Sequence, residues 1–146
     1  MLVKDIMSTG LVSITPAAYL EEAARLMKRH DIGLLPVMEG DRVAGVLTDR
    51  DIVVKALAHG WNPLLTQARV IMNQDIIWCF GDLSAEGAAR LMAGKQVHRL
   101  LVFNREMDLV GVVSLDDVAL ALRDTELVGE MLRDIVIPAV AYRAVA

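Results

Sequence analysis

The chain has 146 residues, of which 55% are hydrophobic and 23% charged, with aromatics at only 4%, so it holds ample aliphatic mass for a core and is not a disordered chain. A formal charge of -4 lacks the basic surplus of a general nucleic-acid binder. Its longest apolar runs fall far short of the roughly 20 residues that cross a bilayer, so the mean hydropathy of +0.44 calls for an extensively covered core or an apolar partner surface, not a membrane.

In chain order, Met1-Leu2-Val3-Lys4-Asp5 shows neither the charged leader nor the apolar stretch of a signal peptide, and the single Cys79 offers no intrachain disulfide, which together give the expectation of a cytoplasmic protein. A short apolar strand is expected over 11–14. It leads into a helix in which Thr15 can cap and Pro16 suits the first position. Leu20, Ala23, Ala24 and Met27 form its apolar stripe. Strands over 34–38 and 43–47 follow, joined by Glu39-Gly40-Asp41-Arg42, and a second helix starts at Thr48. Gly60-Trp61-Asn62-Pro63 closes this half, and 63–69 reads as a linker.

The second half repeats the order. A strand over 76–79 precedes a helix with Asp82 as the expected cap and Ala85, Ala88, Ala89 and Met92 as the stripe; strands over 100–103 and 109–113 are joined by Asn104-Arg105-Glu106-Met107-Asp108; a helix starts at Ser114. After Arg123, Leu127, Val128, Met131, Leu132 and Ile135 share a helical face that Pro138 should close, and the apolar residues 139–146 call for packing on this core or on a second subunit.

An offset of about 65 lays Ile6-Met7 over Ile71-Met72, and Glu21-Glu22-Ala23-Ala24-Arg25-Leu26-Met27 over Glu86-Gly87-Ala88-Ala89-Arg90-Leu91-Met92. One extra residue in the second turn then brings Gly45-Val46-Leu47-Thr48-Asp49-Arg50-Asp51 onto Gly111-Val112-Val113-Ser114-Leu115-Asp116-Asp117. The chain thus reads as an internally duplicated β-α-β-β-α unit of α+β class: repeat 1 over 1–62, a linker over 63–69, repeat 2 over 70–123, and a C-terminal helix and tail over 124–146. A unit of this size is near the lower limit for independent stability, which favours two copies sharing a core.

Both halves place Gly, two apolar residues, Thr or Ser, two variable residues and Asp at a strand-to-helix junction. With that motif, the repeat length and the element order, the chain resembles a tandem pair of cystathionine-β-synthase-type (CBS) domains over about residues 3 to 123. His30-Asp31-Ile32-Gly33 with Leu47-Thr48-Asp49-Arg50-Asp51-Ile52-Val53 is similar to the small stand-alone bacterial CBS-pair proteins, including the hypoxic-response type. The resemblance implies a pseudo-two-fold pair that senses an adenosine compound (AMP, ADP, ATP or S-adenosylmethionine) in the cleft between its halves, with no cofactor required. Its candidate contacts are Asp51 and Asp117 toward ribose hydroxyls and Thr48 and Ser114 toward phosphate or ribose. Main chain at Ile32-Gly33-Leu34 and at Val97-His98-Arg99 would face the adenine edge, and Arg50, His98 and Arg99 would supply charge to phosphate. Such pairs commonly form dimers through their helices, so a homodimer is expected, with an effector protein reading the signal.

Local chemistry leaves a second account open. Thr48-x-x-Asp51 and Ser114-x-x-Asp117 are also capping-box spacings, in which hydroxyl and carboxylate satisfy free amides of a first helical turn. Repeat 2 departs from repeat 1, with Leu100-Leu101-Val102 against Leu35-Pro36-Val37, and Trp78 or Phe80 could fill a nucleotide cleft as readily as stack on a base. The alternative function is then a dimerisation scaffold without a ligand. Cys79 reads as a buried structural thiol, His30, His59 and His98 lack metal-site spacing, and no acid–base pair or activated nucleophile points to an enzyme.

Overall fold

The computed structural model describes the backbone of residues 1–145 and the side chains of residues 1–136. The chain forms two compact units, one made of Met1–Leu11 with Ile77–Ala146, the other of Val12–Ile76. These are not simply the two sequence repeats. The leading segment of each repeat packs with the body of the other, so each unit is completed by a stretch from the opposite half.

The Val12–Ile76 unit contains α2 (Leu20–His30), the antiparallel pair β1 (Leu34–Glu39) and β2 (Arg42–Thr48), the single turn α3 (Asp49–Asp51) and α4 (Ala68–Ile71). A π-helical turn over Ile52–Ala56 and a 3-10 turn over Leu57–His59 prolong α3. The other unit contains α1 (Val3–Ile6), β3 (Trp78–Phe80), α5 (Ala85–Lys95), β4 (Arg99–Phe103), β5 (Leu109–Ser114), α6 (Leu115–Ala121) and α7 (Thr125–Val145). Its sheet has the order β3-β4-β5, with β3 parallel to β4 and β4 antiparallel to β5.

The hairpins match their sequence signals. Gly40 at φ 60 closes the first. In the second, Met107 takes φ 67 while Asn104 Oδ1 accepts the Asp108 N–H at 2.8 Å. The expected strand over 11–14 shrinks to one parallel bridge, Ile14 to Val37, because Gly10 at φ 68 and the turn that begins at Thr15 bracket it.

Both expected first-helix caps are corrected. In the Val12–Ile76 unit, residues 15–18 form a turn instead, and the extended segment that follows pairs with residues 66–69: Ala68 N–H to Ala18 C=O at 2.7 Å, Leu20 N–H to Thr66 C=O at 3.0 Å. The helix waits until Leu20, and its cap position, Tyr19, makes no side-chain bond. In the other unit Met1–Lys4 plays the same part, with Val3 N–H to Leu83 C=O at 2.8 Å and Ala85 N–H to Met1 C=O at 3.0 Å. There Ser84 caps α5 by accepting the Gly87 N–H at 3.0 Å, while Asp82 is drawn into a two-pronged pair with Arg105 at 2.8 and 2.9 Å.

Each unit has its own apolar core. Leu20, Ala23, Leu35, Val37, Leu47 and Ala68 are fully enclosed in one; Val3, Ala88, Ala89, Met92, Leu100, Val102, Val113 and Val118 in the other. Every such Leu or Val contributes about 1.5–3 kcal/mol by leaving water. Of the two stripes, the α5 set is entirely buried, whereas Ala24 of α2 lies exposed. Helix α7 covers α5 through Met131 and Ile135 while Leu132 faces solvent. The helix also runs through Pro138 to Val145 where the sequence suggested a stop. The packing expected of 139–146 lies outside the described side chains. No helix among the described residues is long and apolar enough to cross a membrane.

Candidate functional site

The two junction motifs are built alike at the backbone. Thr48, at φ -110 and ψ 159, ends β2 and caps α3; Ser114, at φ -99 and ψ 164, ends β5 and caps α6. The Thr48 hydroxyl accepts the Asp51 N–H at 3.1 Å while Asp51 Oδ2 accepts the Thr48 N–H at 3.0 Å. Ser114 and Asp117 repeat this at 3.1 and 2.8 Å, so both are complete capping boxes. The capping account therefore holds for both motifs as local structure.

The motif glycines have a separate cause. A Cβ on Gly45 would lie 2.6 Å from the Asn73 carbonyl oxygen, and one on Gly111 2.5 Å from Met7 Sδ and 2.9 Å from the Ser8 carbonyl oxygen. Each glycine lets the segment from the opposite repeat cross the strand, where Val46 bridges Asn73 and Ser8 bridges Val112.

Around the carboxylates the two sites differ. Asp51 is buried. Besides Thr48, its Oδ2 accepts from Asn73 Nδ2 at 3.0 Å, and its Oδ1 meets Lys55 Nζ at 3.2 Å. The Lys55 ammonium also donates to Asn73 Oδ1 at 2.7 Å and to the Ile71 carbonyl at 3.2 Å. Asp117 is half-buried, and its Oδ2 takes the Ser114 N–H and, at 2.7 Å, the Ser114 hydroxyl. The network partners Lys55 and Asn73 escaped the sequence reading. An i,i+4 spacing from Asp51 to Lys55 was its one available signal, and Asn73 sits in what read as the start of the next repeat.

The remaining candidates gather by unit. Ile32 and Gly33, half-buried, lead into β1, and the Gly33 carbonyl accepts the Asp49 N–H at 3.0 Å. Arg50 is exposed on the first turn of α3. In the other unit the His98 carbonyl accepts the Leu115 N–H at 2.8 Å, and exposed Arg99 stands directly across from Ser114 in the β4–β5 register, where the first unit sets Leu34 across from Thr48. Thus Thr48, Arg50, Asp51, Ile32 and Gly33 form one group, and Ser114, Asp117, His98 and Arg99 the other.

Three rings cluster on β3 and β4. Trp78 meets Phe80 and Phe103 edge-on at 5.0 and 5.5 Å, and the Arg105 guanidinium lies 4.1 Å over the Phe80 ring. Trp78, Phe80 and Arg105 line an open groove of about 410 Å³ with Leu83 and Leu91. Buried Cys79 behind them has its thiol pushed up to about 11 by loss of water. Among the described residues no three His, Cys, Asp or Glu side chains gather as a metal site.

The model of the CBS domain family matches residues 3–57 and again 68–124. CBS domain-containing protein YhcV of Bacillus subtilis is 36% identical over 91% of this chain and 94% of its own. The solved structure of Hypoxic Response Protein I, with two coordinated zinc ions, is 35% identical with a TM-score of 0.73 over 84% of this chain and 99% of that one. The CBS domain pair of protein MJ0100, solved in complex with 5′-methylthioadenosine and S-adenosyl-L-methionine, is 26% identical with a TM-score of 0.74 over 83% of this chain and 94% of that one.

Proposed function

The chain belongs to the CBS domain family as a tandem pair, and from that premise we propose that it is a non-enzymatic regulatory module that binds an adenosine-containing compound, AMP, ADP, ATP or S-adenosylmethionine. The observation that carries this reading is the twice-built junction, where a short hydroxyl and a carboxylate are held by the same capping geometry beside a sheet edge. A carboxylate fixed in this way is suited to accept a ribose hydroxyl without reorganising wherever one of its oxygens is left free. Arg99 beside Ser114 adds a cation within the same unit for a phosphate or carboxylate tail. The pair solved with S-adenosyl-L-methionine supports the ligand class.

Ligand can shift such a module only through unequal affinity for two of its conformations. Titration calorimetry of the purified chain against each of the four compounds tests the reading: saturable heat with at least one is expected, and no heat or thermal shift at millimolar ligand overturns it.

A ligand-free scaffold is the second reading, favoured by the engagement of Asp51 with Lys55 and Asn73. In either case we propose a homodimer. Exposed Val53, Val54 and Leu57, on consecutive turns after α3, and Leu64 and Leu65 beyond them supply an apolar surface that a second copy would cover. Sedimentation of the wild type against Leu57→Glu should show a dimer that dissociates. A wild-type monomer would remove this part. An unidentified effector protein would then read the state of the dimer.

A further inference from the structure

We infer that Lys55 and Asn73 close the first-repeat motif to a diol ligand, so that one adenosine compound binds per chain, at Asp117. This rests on the nucleotide-binding reading and assigns it to one of two sites that share a sequence pattern.

The argument starts from what a carboxylate must offer. To hold a ribose hydroxyl, one of its two oxygens must be free to accept and reachable from outside. Asp51 offers neither. Its Oδ2 already takes the Thr48 N–H and the Asn73 amide, both at 3.0 Å, and its Oδ1 faces the Lys55 ammonium at 3.2 Å. Admitting a ribose would free Lys55 from the carboxylate and leave the half-buried Asn73 amide without its acceptor, a cost that a neutral hydroxyl pair repays poorly. The amide cannot simply turn away, because Asn73 Oδ1 holds Lys55 at 2.7 Å and its backbone bridges Val46 in both directions, at 2.9 Å each.

The second repeat lacks both parts of this lock. The position equivalent to Asn73 is Ser8, as the bridges Val46 to Asn73 and Ser8 to Val112 show, and the position equivalent to Lys55 is Ala121. Asp117 Oδ2 is held by Ser114, while Oδ1 has no protein donor among the described residues. No side-chain oxygen among them is both buried and unpartnered, so Oδ1 is open to solvent. Arg99 flanks this motif where Leu34 flanks the other. One site therefore has a committed carboxylate with exposed Arg50 on its capping turn, the other an available carboxylate with Arg99 across the strand pair.

The experiment is calorimetric stoichiometry on the full chain with ATP, AMP, ADP and S-adenosylmethionine. Wild type should take one equivalent. Asp117→Asn should weaken it by about tenfold or more, the loss expected of a hydrogen bond to a charged group. Lys55→Ala with Asn73→Ser, which copies the second-repeat residues into the first, should admit a second equivalent, and adding Asp51→Asn should remove that gain. If the double variant fails to fold by circular dichroism, the Asp117→Asn arm decides. Two equivalents on wild type, or full binding by Asp117→Asn, overturns the assignment while leaving nucleotide binding intact. A wild type that binds none of the four overturns both.

Discussion

Asp51 and Asp117 occupy the same place in the same motif, make the same capping box, and live in different surroundings. The local pattern dictates the box: a hydroxyl residue leaving a strand, followed three positions later by a carboxylate, satisfies amides that the first helical turn cannot satisfy itself. What the carboxylate does with its other lone pairs is decided elsewhere, by the residue one helical turn on and by the segment that crosses the strand. Lys55 and Asn73 fill those places in one unit, Ala121 and Ser8 in the other. A motif match thus identifies two junctions without saying that they do the same work.

The strongest test of how far the two junctions correspond is the motif glycine. Gly45→Ala puts a methyl 2.6 Å from the Asn73 backbone oxygen, which can move only by breaking the bridge to Val46. Gly111→Ala meets chiefly the Met7 sulfur, the end of a flexible side chain, although the Ser8 backbone oxygen lies at 2.9 Å. Both should destabilise by overpacking, within about 1–3 kcal/mol, with Gly45→Ala the larger. Urea denaturation measures the order. Equal losses would mean that the crossing segments yield alike, and the structural contrast between the two sites would weaken.

Removing the carboxylates comes next. Asp51→Ala strands the Asn73 amide and the Thr48 N–H and deprives half-exposed Lys55 of its counter-charge, for a loss of about 1–3 kcal/mol. Asp117→Ala removes only box contacts and should cost about 1 kcal/mol. If the two variants lose the same amount, the Lys55–Asn73 network contributes nothing and Asp51 is no more engaged than its counterpart. Below both in expected contrast lie Thr48→Ala and Ser114→Ala. Each removes one cap acceptor and should cost about 1 kcal/mol in either unit. A large difference between these would place the asymmetry in the caps instead of around the carboxylates.

Much of this was legible in the sequence, for reasons that particular residues show. The hairpins follow from apolar runs bounded by Gly40 and by Asn104 to Asp108, whose turn chemistry acts over a few residues. The junction hydroxyls and carboxylates are equally local, and structure and sequence agree on Thr48 and Ser114 as helix starts. The helices over α2 and α5 were readable from their apolar spacing, but their starting points were not. Thr15-Pro16 is a good local start that loses to backbone pairing with residues 66–69, and Asp82 loses its capping role to Arg105, 23 residues away. Periodicity within a window is blind to partners that distant. The same blindness hid Asn73, which belongs to one repeat by sequence and completes the carboxylate network of the other.

The smallest expected effect is silent at neutral pH and separates the units by titration. Cys79 and Ile14 are equivalent across the repeat, and both are buried, but only Cys79 can ionise. Loss of water raises its thiol from 9.0 to about 11, so the folded chain keeps the proton after the unfolded chain has released it. The sign follows from that order: the stability associated with Cys79 is fully present below pH 9.0, and falls as pH rises from there toward about 11. Cys79→Val should leave neutral stability nearly unchanged and flatten this alkaline decline relative to wild type. Urea midpoints at neutral pH and at two alkaline values compare the slopes, and thiol labelling under native conditions at neutral pH should be slow beside labelling in urea. An unchanged slope in the variant would mean that the thiol reaches solvent before the unit unfolds, and that the Cys79 side of the sheet is looser than its burial implies.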